Sequence, residues 1–245
     1  MDNALLITLS AQNALTRQME VAANNMANLS TIGFKSEAVL FQSLIRRPAS
    51  MVETPNDVEF VRDYSIARDF RPGALQRTDN PLDIALTGAG FFSVATATGP
   101  AFTRDGRLTL DASGKLISHD GKAILDDGGG EINIDVNAGQ IVVGKDGTIT
   151  QNGASVAKIG VVNFARPGAL QKTGDNLWRS LEQTPAQAEN FEVVQGMLEG
   201  SNVVAIRELT SIMEISRAFE SATRLQRQTE ELRSKAIDRL SRVQA

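Results

Sequence analysis

The chain has 245 residues, with 29 acidic and 25 basic side chains, a net charge of −4, one histidine and no cysteine. That length can bury a sizeable core in one domain or two, while the mild acidity speaks against a general nucleic-acid binder. The missing cysteines exclude disulfides, thiolate metal sites and thiol nucleophiles, and a lone histidine, His119, excludes a multi-histidine zinc centre.

From the N-terminus, residues 3–28 carry apolar groups at helical spacing: Leu5, Leu9, Leu15, Met19, Ala22 and Met26. The spacing predicts a helix about 40 Å long. Asp2, Arg17 and Glu20 are its only charges, so its apolar stripe needs a partner. Gly33, after the polar run Asn28–Ser30, marks the stop. No basic stretch precedes the apolar residues, and Thr8, Ser10, Gln12 and Asn13 interrupt them, which is unlike a cleaved Sec-type signal. Export that leaves the chain uncut is untouched by that observation. No run reaches the roughly 20 apolar residues that span a bilayer, so membrane insertion is not expected.

Residues 36–198 are punctuated by Gly and Pro. The dipeptides Asp105-Gly106, Asp120-Gly121, Asp146-Gly147 and Asn152-Gly153 are hairpin-turn signals. β-favouring runs flank them at Leu108–Leu110, Ile132–Val136, Gln140–Val143 and Ile159–Phe164, and predict an all-β region built from hairpins. One internal echo pairs the run from Arg71 to Thr78 with that from Arg166 to Thr173, differing at one conservative position. Each copy reads as a Pro-Gly turn launching an extended segment, and two distant copies do not make a solenoid.

Helical spacing returns at about 202–242. Leu209, Ile212, Ile215, Phe219, Ala222, Leu225, Thr229, Leu232, Ala236 and Leu240 step by three or four, a seam of coiled-coil type. Arg224, Arg227, Glu230, Glu231, Arg233, Lys235, Asp238, Arg239 and Arg242 read as its solvated face. That face lacks interleaved aromatics, so nucleic acid is not an expected partner. The expected class is α+β: N- and C-terminal helices pair as a coiled-coil-like unit around a central all-β domain. The expected division is a helix at 1–35, an extended connector at 36–80, the β domain at 81–198 and a second helix at 199–245.

Few residues offer chemistry. His119 lies in Ser118-His119-Asp120-Gly121, a hairpin-turn sequence, which reads as an exposed turn histidine rather than part of a triad. Gly88-Ala89-Gly90 lacks the third glycine of a phosphate-binding fingerprint. Asp126, Asp127 and Glu131 lack the alternating oxygen ligands of a calcium loop and read as a solvated acidic turn. No catalytic residue, metal ligand or cofactor site is expected. The amides are more pointed. Asn24, Asn25 and Asn28 fall within five residues, and Asn24 and Asn28 share a helix face. Either they cap the helix end, or they lie between packed copies and fix one register. Ser201 and Asn202 have the same two readings, the first being the N-cap of the second helix.

The sequence resembles the flagellar basal-body rod and hook proteins. The stretch from Ala23 to Lys35, with its paired asparagines, Ala-Asn and then Thr, Gly, Phe and Lys, is similar to the family's N-terminal signature. The runs from Asn80 to Phe92, from Phe102 to Gly106 and from Asp111 to Leu116 are similar to internal family segments. Those from Gly196 to Val203 and from Ser216 to Glu220 are similar to its C-terminal signature, with Phe219 where the family often has tyrosine. Within the family the chain looks most like the proximal rod type, the distal rod and hook types being the alternative.

The resemblance implies a structural, non-enzymatic subunit. Its partners would be copies of itself and other rod proteins in a helical assembly, together with the flagellar type III export apparatus. It implies a rod location in the periplasm, reached without a cleaved signal, and terminal helices that pair as an inner tube beneath an outer β layer. The assembly interface is expected at Leu5, Leu9, Leu15, Met19, Asn24, Asn25, Asn28, Phe34, Ser201, Asn202, Ile212, Ile215, Phe219 and Leu225. Two other classes remain: a β-domain wall-binding protein or hydrolase using Asp83, Asp105 or Asp111, and a binding module closed into a small oligomer by its terminal helices.

Overall fold

The computed structural model describes residues 2–46 and 58–243, with side chains described over 6–42 and 65–239. The chain divides into two compact units, and it passes between them four times.

The first unit comprises Met1–Ala27, Glu37–Arg68 and Val204–Ala245. It holds helix α1 (Asp2–Ala27), strands β1 (Glu37–Arg46) and β2 (Val58–Arg68), and helix α2 (Ala205–Val243). At 1.5 Å per residue the helices are about 39 and 58 Å long. Gln12 of α1 donates a 3.3 Å hydrogen bond to the Thr223 hydroxyl of α2. Toward the other end of α1, Ala22 and Asn25 line a groove shared with Arg207 and Ile215, so the helices run antiparallel. β1 and β2 pair antiparallel from Glu37↔Arg68 to Arg46↔Val58, with a bulge at Leu40/Phe41. The segment expected as an extended connector thus contains its own strand pair. Its open end is closed by an Arg68–Glu37 ion pair at 3.2 Å.

The second unit, Asn28–Ser36 and Asp69–Val203, holds the described β structure beyond that pair. In order it contains β3 (Leu75–Arg77), β4 (Ile84–Gly88), β5 (Phe91–Thr96), β6 (Gly99–Thr103), β7 (Leu108–Leu110), β8 (Leu116–Ser118), β9 (Ile141–Val143) and β10 (Thr148–Gln151). Then come β11 (Ala154–Lys158), β12 (Val161–Asn163), β13 (Gln171–Lys172), β14 (Trp178–Arg179), β15 (Ala186–Gln187), β16 (Phe191–Gln195) and β17 (Met197–Glu199). The widest sheet is antiparallel in the order β13-β14-β6-β5-β12-β15. Successive side chains of a strand face opposite ways. β5 therefore places Phe92 in an aliphatic cluster with Ile84, Leu86, Ile124, Ile149 and Ile159, and Phe91 in an aromatic cluster with Phe102, Phe164 and Trp178. Edge-on ring contacts at 4.8–5.9 Å join the rings there, a favoured geometry for aromatic pairs. β5 is buried on both faces, which explains its apolar run.

Several expectations need correction. Asp105-Gly106 is not a hairpin turn. Gly106 is there for space: a Cβ on it would sit 1.7 Å from the Ile84 carbonyl oxygen, and the Ile84 N–H donates to the Gly106 carbonyl at 3.0 Å. Asn152-Gly153 does turn between β10 and β11, both residues with positive φ, as the tight hairpin requires. Ile132–Val136 is not a strand. Ile132 and Ile134 are buried, but the segment pairs irregularly: the Ile132 carbonyl accepts from the Leu116 N–H, and the Ile134 N–H donates to the Gly114 carbonyl. The two Pro-Gly echoes each lead into an extended segment, β3 directly and β13 after a 3₁₀ turn at Pro167–Ala169. His119 is exposed in a turn.

Candidate assembly surface

The first unit buries little. Among its described residues only Val21, Ala22, Asn25 and Ile215 are buried. Between α1, β1 and the first turns of α2 lies an open groove of about 550 Å³, with Leu15, Val21, Ala22, Val39 and Ile215 as its apolar lining and Glu37, Arg207, Glu208 and Glu214 as its charged lining. Further along α2, apolar side chains face solvent: Leu209, Phe219 and Leu225 are exposed, Leu232 is 68% exposed and Ile237 60%. On α1 Leu6, Ile7 and Leu9 are exposed.

Four hydroxyls along α2 are already satisfied. Thr210, Ser221, Thr223 and Thr229 each donate to the carbonyl four residues earlier, at 2.8–2.9 Å. A hydroxyl folded back onto its own helix needs no water partner, so a neighbour can cover these four without stranding them.

The expected interface residues divide. Leu15, Met19 and Ile212 are half-buried and Ile215 is buried, while Leu9, Phe219 and Leu225 are exposed. The Leu5 side chain lies outside the described residues, as does that of Leu240 from the expected seam. Asn24 is exposed and Asn28 half-buried, its carbonyl oxygen accepting from the Thr31 hydroxyl at 3.1 Å. Asn25 acts within the chain: its amide nitrogen donates to the Glu37 carbonyl at 2.8 Å, and its oxygen accepts from the Glu37 N–H at 2.9 Å. That reciprocal pair imitates a strand partner at the mouth of β1. Phe34 is 1% exposed inside the second unit, beneath the Lys172 ammonium at 4.6 Å. Neither Ser201 nor Asn202 is the N-cap of α2, which starts at Ala205, its first turn accepted by the Val204 carbonyl. Ser201 accepts from the Val203 N–H, and the Asn202 amide is engaged with Ser36, Asp69 and Arg71.

One buried cluster escaped the sequence reasoning. Glu199 at the end of β17 has a side chain with no exposure, and its carboxylate accepts from the Lys35 ammonium at 2.5 Å and the Arg104 guanidinium at 3.1 Å. The Gly73 N–H adds a third bond at 3.0 Å. Arg104 also donates to the carbonyls of Leu86 and Gly88 and stacks over the Phe91 ring. Burial pushes both cations' pKa values down, and Glu199 opposes this in each case. The sequence carried no clear signal: Lys35 follows Phe34 and Glu199 precedes Gly200, but Arg104 stands between Thr103 and Asp105 like any surface charge.

The segments carrying these residues match known proteins. The family model for flagella basal body rod protein matches residues 5–35, the flagellar hook protein FlgE/F/G D1 domain matches 85–151, and the flagellar basal body rod FlgEFG protein C-terminal domain matches 194–239. The flagellar basal-body rod protein FlgF of Caulobacter vibrioides is 40% identical over 99% of this chain and 100% of its own length. The chain belongs to the flagellar basal-body rod protein family. FlgF of Rhizobium meliloti is 36% identical over 98% of each chain, and the rod protein FlgG of Bacillus subtilis is 30% identical over 94% of this chain and 96% of its own.

A rod protein of this family is a structural subunit of the flagellar basal body and not an enzyme. The carboxylates weighed for hydrolysis have structural work. Asp83 accepts from the Asn80 amide at 3.1 Å, Asp105 is gripped by Arg107 at 2.5 Å, and Asp111 closes a turn by accepting from the N–H groups of Ser113 and Lys115 at 2.8 Å. No helix among the described residues is long and apolar enough to cross a membrane.

Proposed function

We propose that this chain is a proximal-type rod subunit, similar to FlgF, that polymerises through its terminal helices. The full-length similarity to two proteins named FlgF supports the subtype. The observation that carries the mechanism is the exposed apolar surface along α1 and α2, in a chain whose β unit buries its own core. In this reading α1 and α2 form an antiparallel coiled-coil-like unit whose outer seam is completed by neighbouring subunits. Residues 1–35 and 199–245 serve assembly, 36–80 connects them, and 81–198 forms the outer layer.

Leu5, Leu9, Leu15, Met19, Ile212, Phe219 and Leu225 would supply apolar contact, and the exposed Asn24 with Asn28 would set register. Ser201, Asn202, Asn25, Phe34 and Ile215 would act from behind, by fixing the chain that carries those residues. Head-to-tail contacts of this kind propagate into a filament instead of closing. The partners are other rod proteins and the type III export apparatus, with no nucleic acid and no membrane insertion. The location is the rod within the periplasm, reached by export without a cleaved signal. A chain with no cysteine suits that route, since no disulfide stands against threading.

Deletion in the host tests this. Arrest of the basal body before the distal rod, with motility restored by the intact gene, is the expected result. A normal filament in the deletion strain would refute the assignment, and arrest after the distal rod would favour the distal type.

A further inference from the structure

Where the chain leaves the β unit, three stretches, Asn28–Ser36, Asp69–Gly73 and Gly200–Val203, have no strand pairing to hold them. Backbone bonds from the Asp69 N–H to the Ser36 carbonyl at 2.9 Å and from the Asn202 N–H to the Phe34 carbonyl at 3.4 Å join them in part, and two side chains do the rest. Glu199 takes the Lys35 ammonium, the Gly73 N–H and the Arg104 guanidinium on its carboxylate, and the Gly33 N–H on its carbonyl at 2.7 Å. Asn202 accepts from the Ser36 N–H at 2.8 Å and donates to the carbonyls of Asp69 at 2.7 Å and Arg71 at 3.0 Å. Lys35 also donates to the Arg71 carbonyl at 2.9 Å, so each stretch is bonded to both others. Arg104 passes the connection on to the end of β4 through the Gly88 carbonyl at 2.8 Å. The backbones are in close contact too, with a Cβ on Gly73 falling 2.1 Å from the Gly200 carbonyl oxygen.

We propose that Glu199 is the positioning residue of a clasp that carries shear among these three stretches and into the sheet. A buried carboxylate beside two cations is a poor choice for stability alone, because well-packed apolar groups serve as well or better. It differs in being directional. Apolar surfaces slide past each other at little cost, whereas short charge-assisted hydrogen bonds fix position. A subunit that transmits force through its chain ends has use for that property, and to this extent the inference rests on the rod-subunit reading.

The test pulls on the full chain. Because the sequence has no cysteine, Leu29→Cys in the first stretch and Val204→Cys, the residue after the third, give two unique exposed handles. With Glu199 intact, a first rupture that frees the stretches is expected before the β unit unfolds. Glu199→Gln should lower the force of that first event and leave the force of the second unchanged, with Lys35→Met between. Loss of force in both events together, or no change in the first, would overturn the proposal. Should Glu199→Gln fail to fold, amide exchange in Lys35→Met decides. Exchange at Gly33, Ser36 and Gly73 should quicken about tenfold while Ile124 and Leu125 hold, and uniform acceleration or none would overturn the clasp. The chain is studied alone, so failure to enter a rod bears on the functional reading and not on this result.

Discussion

Truncating Leu225 and Leu232 together should leave the free chain intact and cripple assembly. Full burial of a leucine side chain is worth about 1.5–3 kcal/mol. Leu225 is 54% exposed and Leu232 68%. The surface still open at the two positions is therefore worth about 2–3.5 kcal/mol per subunit when a neighbour covers it. Since 1.4 kcal/mol is a factor of ten, the double Ala variant should bind its neighbours roughly 30- to 300-fold more weakly. The free chain should barely notice, because exposed substitutions away from special features usually change stability by less than about 0.5 kcal/mol, and Ala keeps the helix. Two measurements separate these effects: thermal unfolding of the purified chain by circular dichroism, and recovery of the variant in basal bodies from a complemented deletion strain. Unchanged melting with lost incorporation is expected. A drop in melting that accounts for the lost incorporation would refute the reasoning, and so would full incorporation.

Within the β unit, Glu199→Ala should destabilise by about 3–5 kcal/mol, because it strands two buried cations. Lys35→Met should cost far less, since Arg104 and Glu199 then remain a balanced pair; denaturant unfolding of both variants checks the order. The lowered pKa of Lys35 also has a signature. Below 10.5 the unfolded chain holds this proton more tightly than the folded one, so stability rises with pH across the window ending at 10.5. Melting measured up to that pH should show the rise in the wild type and lose this component in Lys35→Met. Gly33→Ala combines a left-handed φ of +68° with a Cβ 2.7 Å from the Arg104 carbonyl carbon, and should cost about 2–4 kcal/mol. Gly106→Ala fails on space alone, and its unfolding midpoint should fall by a similar margin.

Periodicity carries information about one face at a time, and this decides what was legible. Both helices stood out because their stripes run long, and the periodic stretches 3–28 and 202–242 end within three residues of α1 and α2. β7 and β9 were legible from short β-branched or leucine runs between turn residues. Ile132–Val136 has the same composition but meets its partner backbone at 114–116 only in isolated bonds, and composition does not report register. Asp105-Gly106 misled for a related reason: a glycine needed for close approach looks in sequence like a glycine needed for positive φ. Asn25 was recognised as an unusual amide, but the sequence has no means of showing that its partner is the Glu37 backbone. The Glu199 cluster was the hardest to see, since Lys35, Arg104 and Glu199 are far apart in sequence and each looks like an ordinary surface charge.

The placement of charge and grease in this molecule is inverted relative to the usual expectation, and the inversion has a direction. The second unit encloses two hydrophobic clusters and can afford three charged groups deep in its interior. The first unit leaves leucine, isoleucine and phenylalanine in water, beside threonines such as Thr210 and Thr223 whose hydroxyls fold back onto the helix. For a chain that works alone, exchanging those two sets would raise stability, since apolar packing replaces buried ion pairs without loss and exposed leucines add nothing. The arrangement is sensible only when the helical surface is finished by neighbours. Burial there can supply the energy of joining, while direction-sensitive bonds inside each subunit keep the joined chain ends in place.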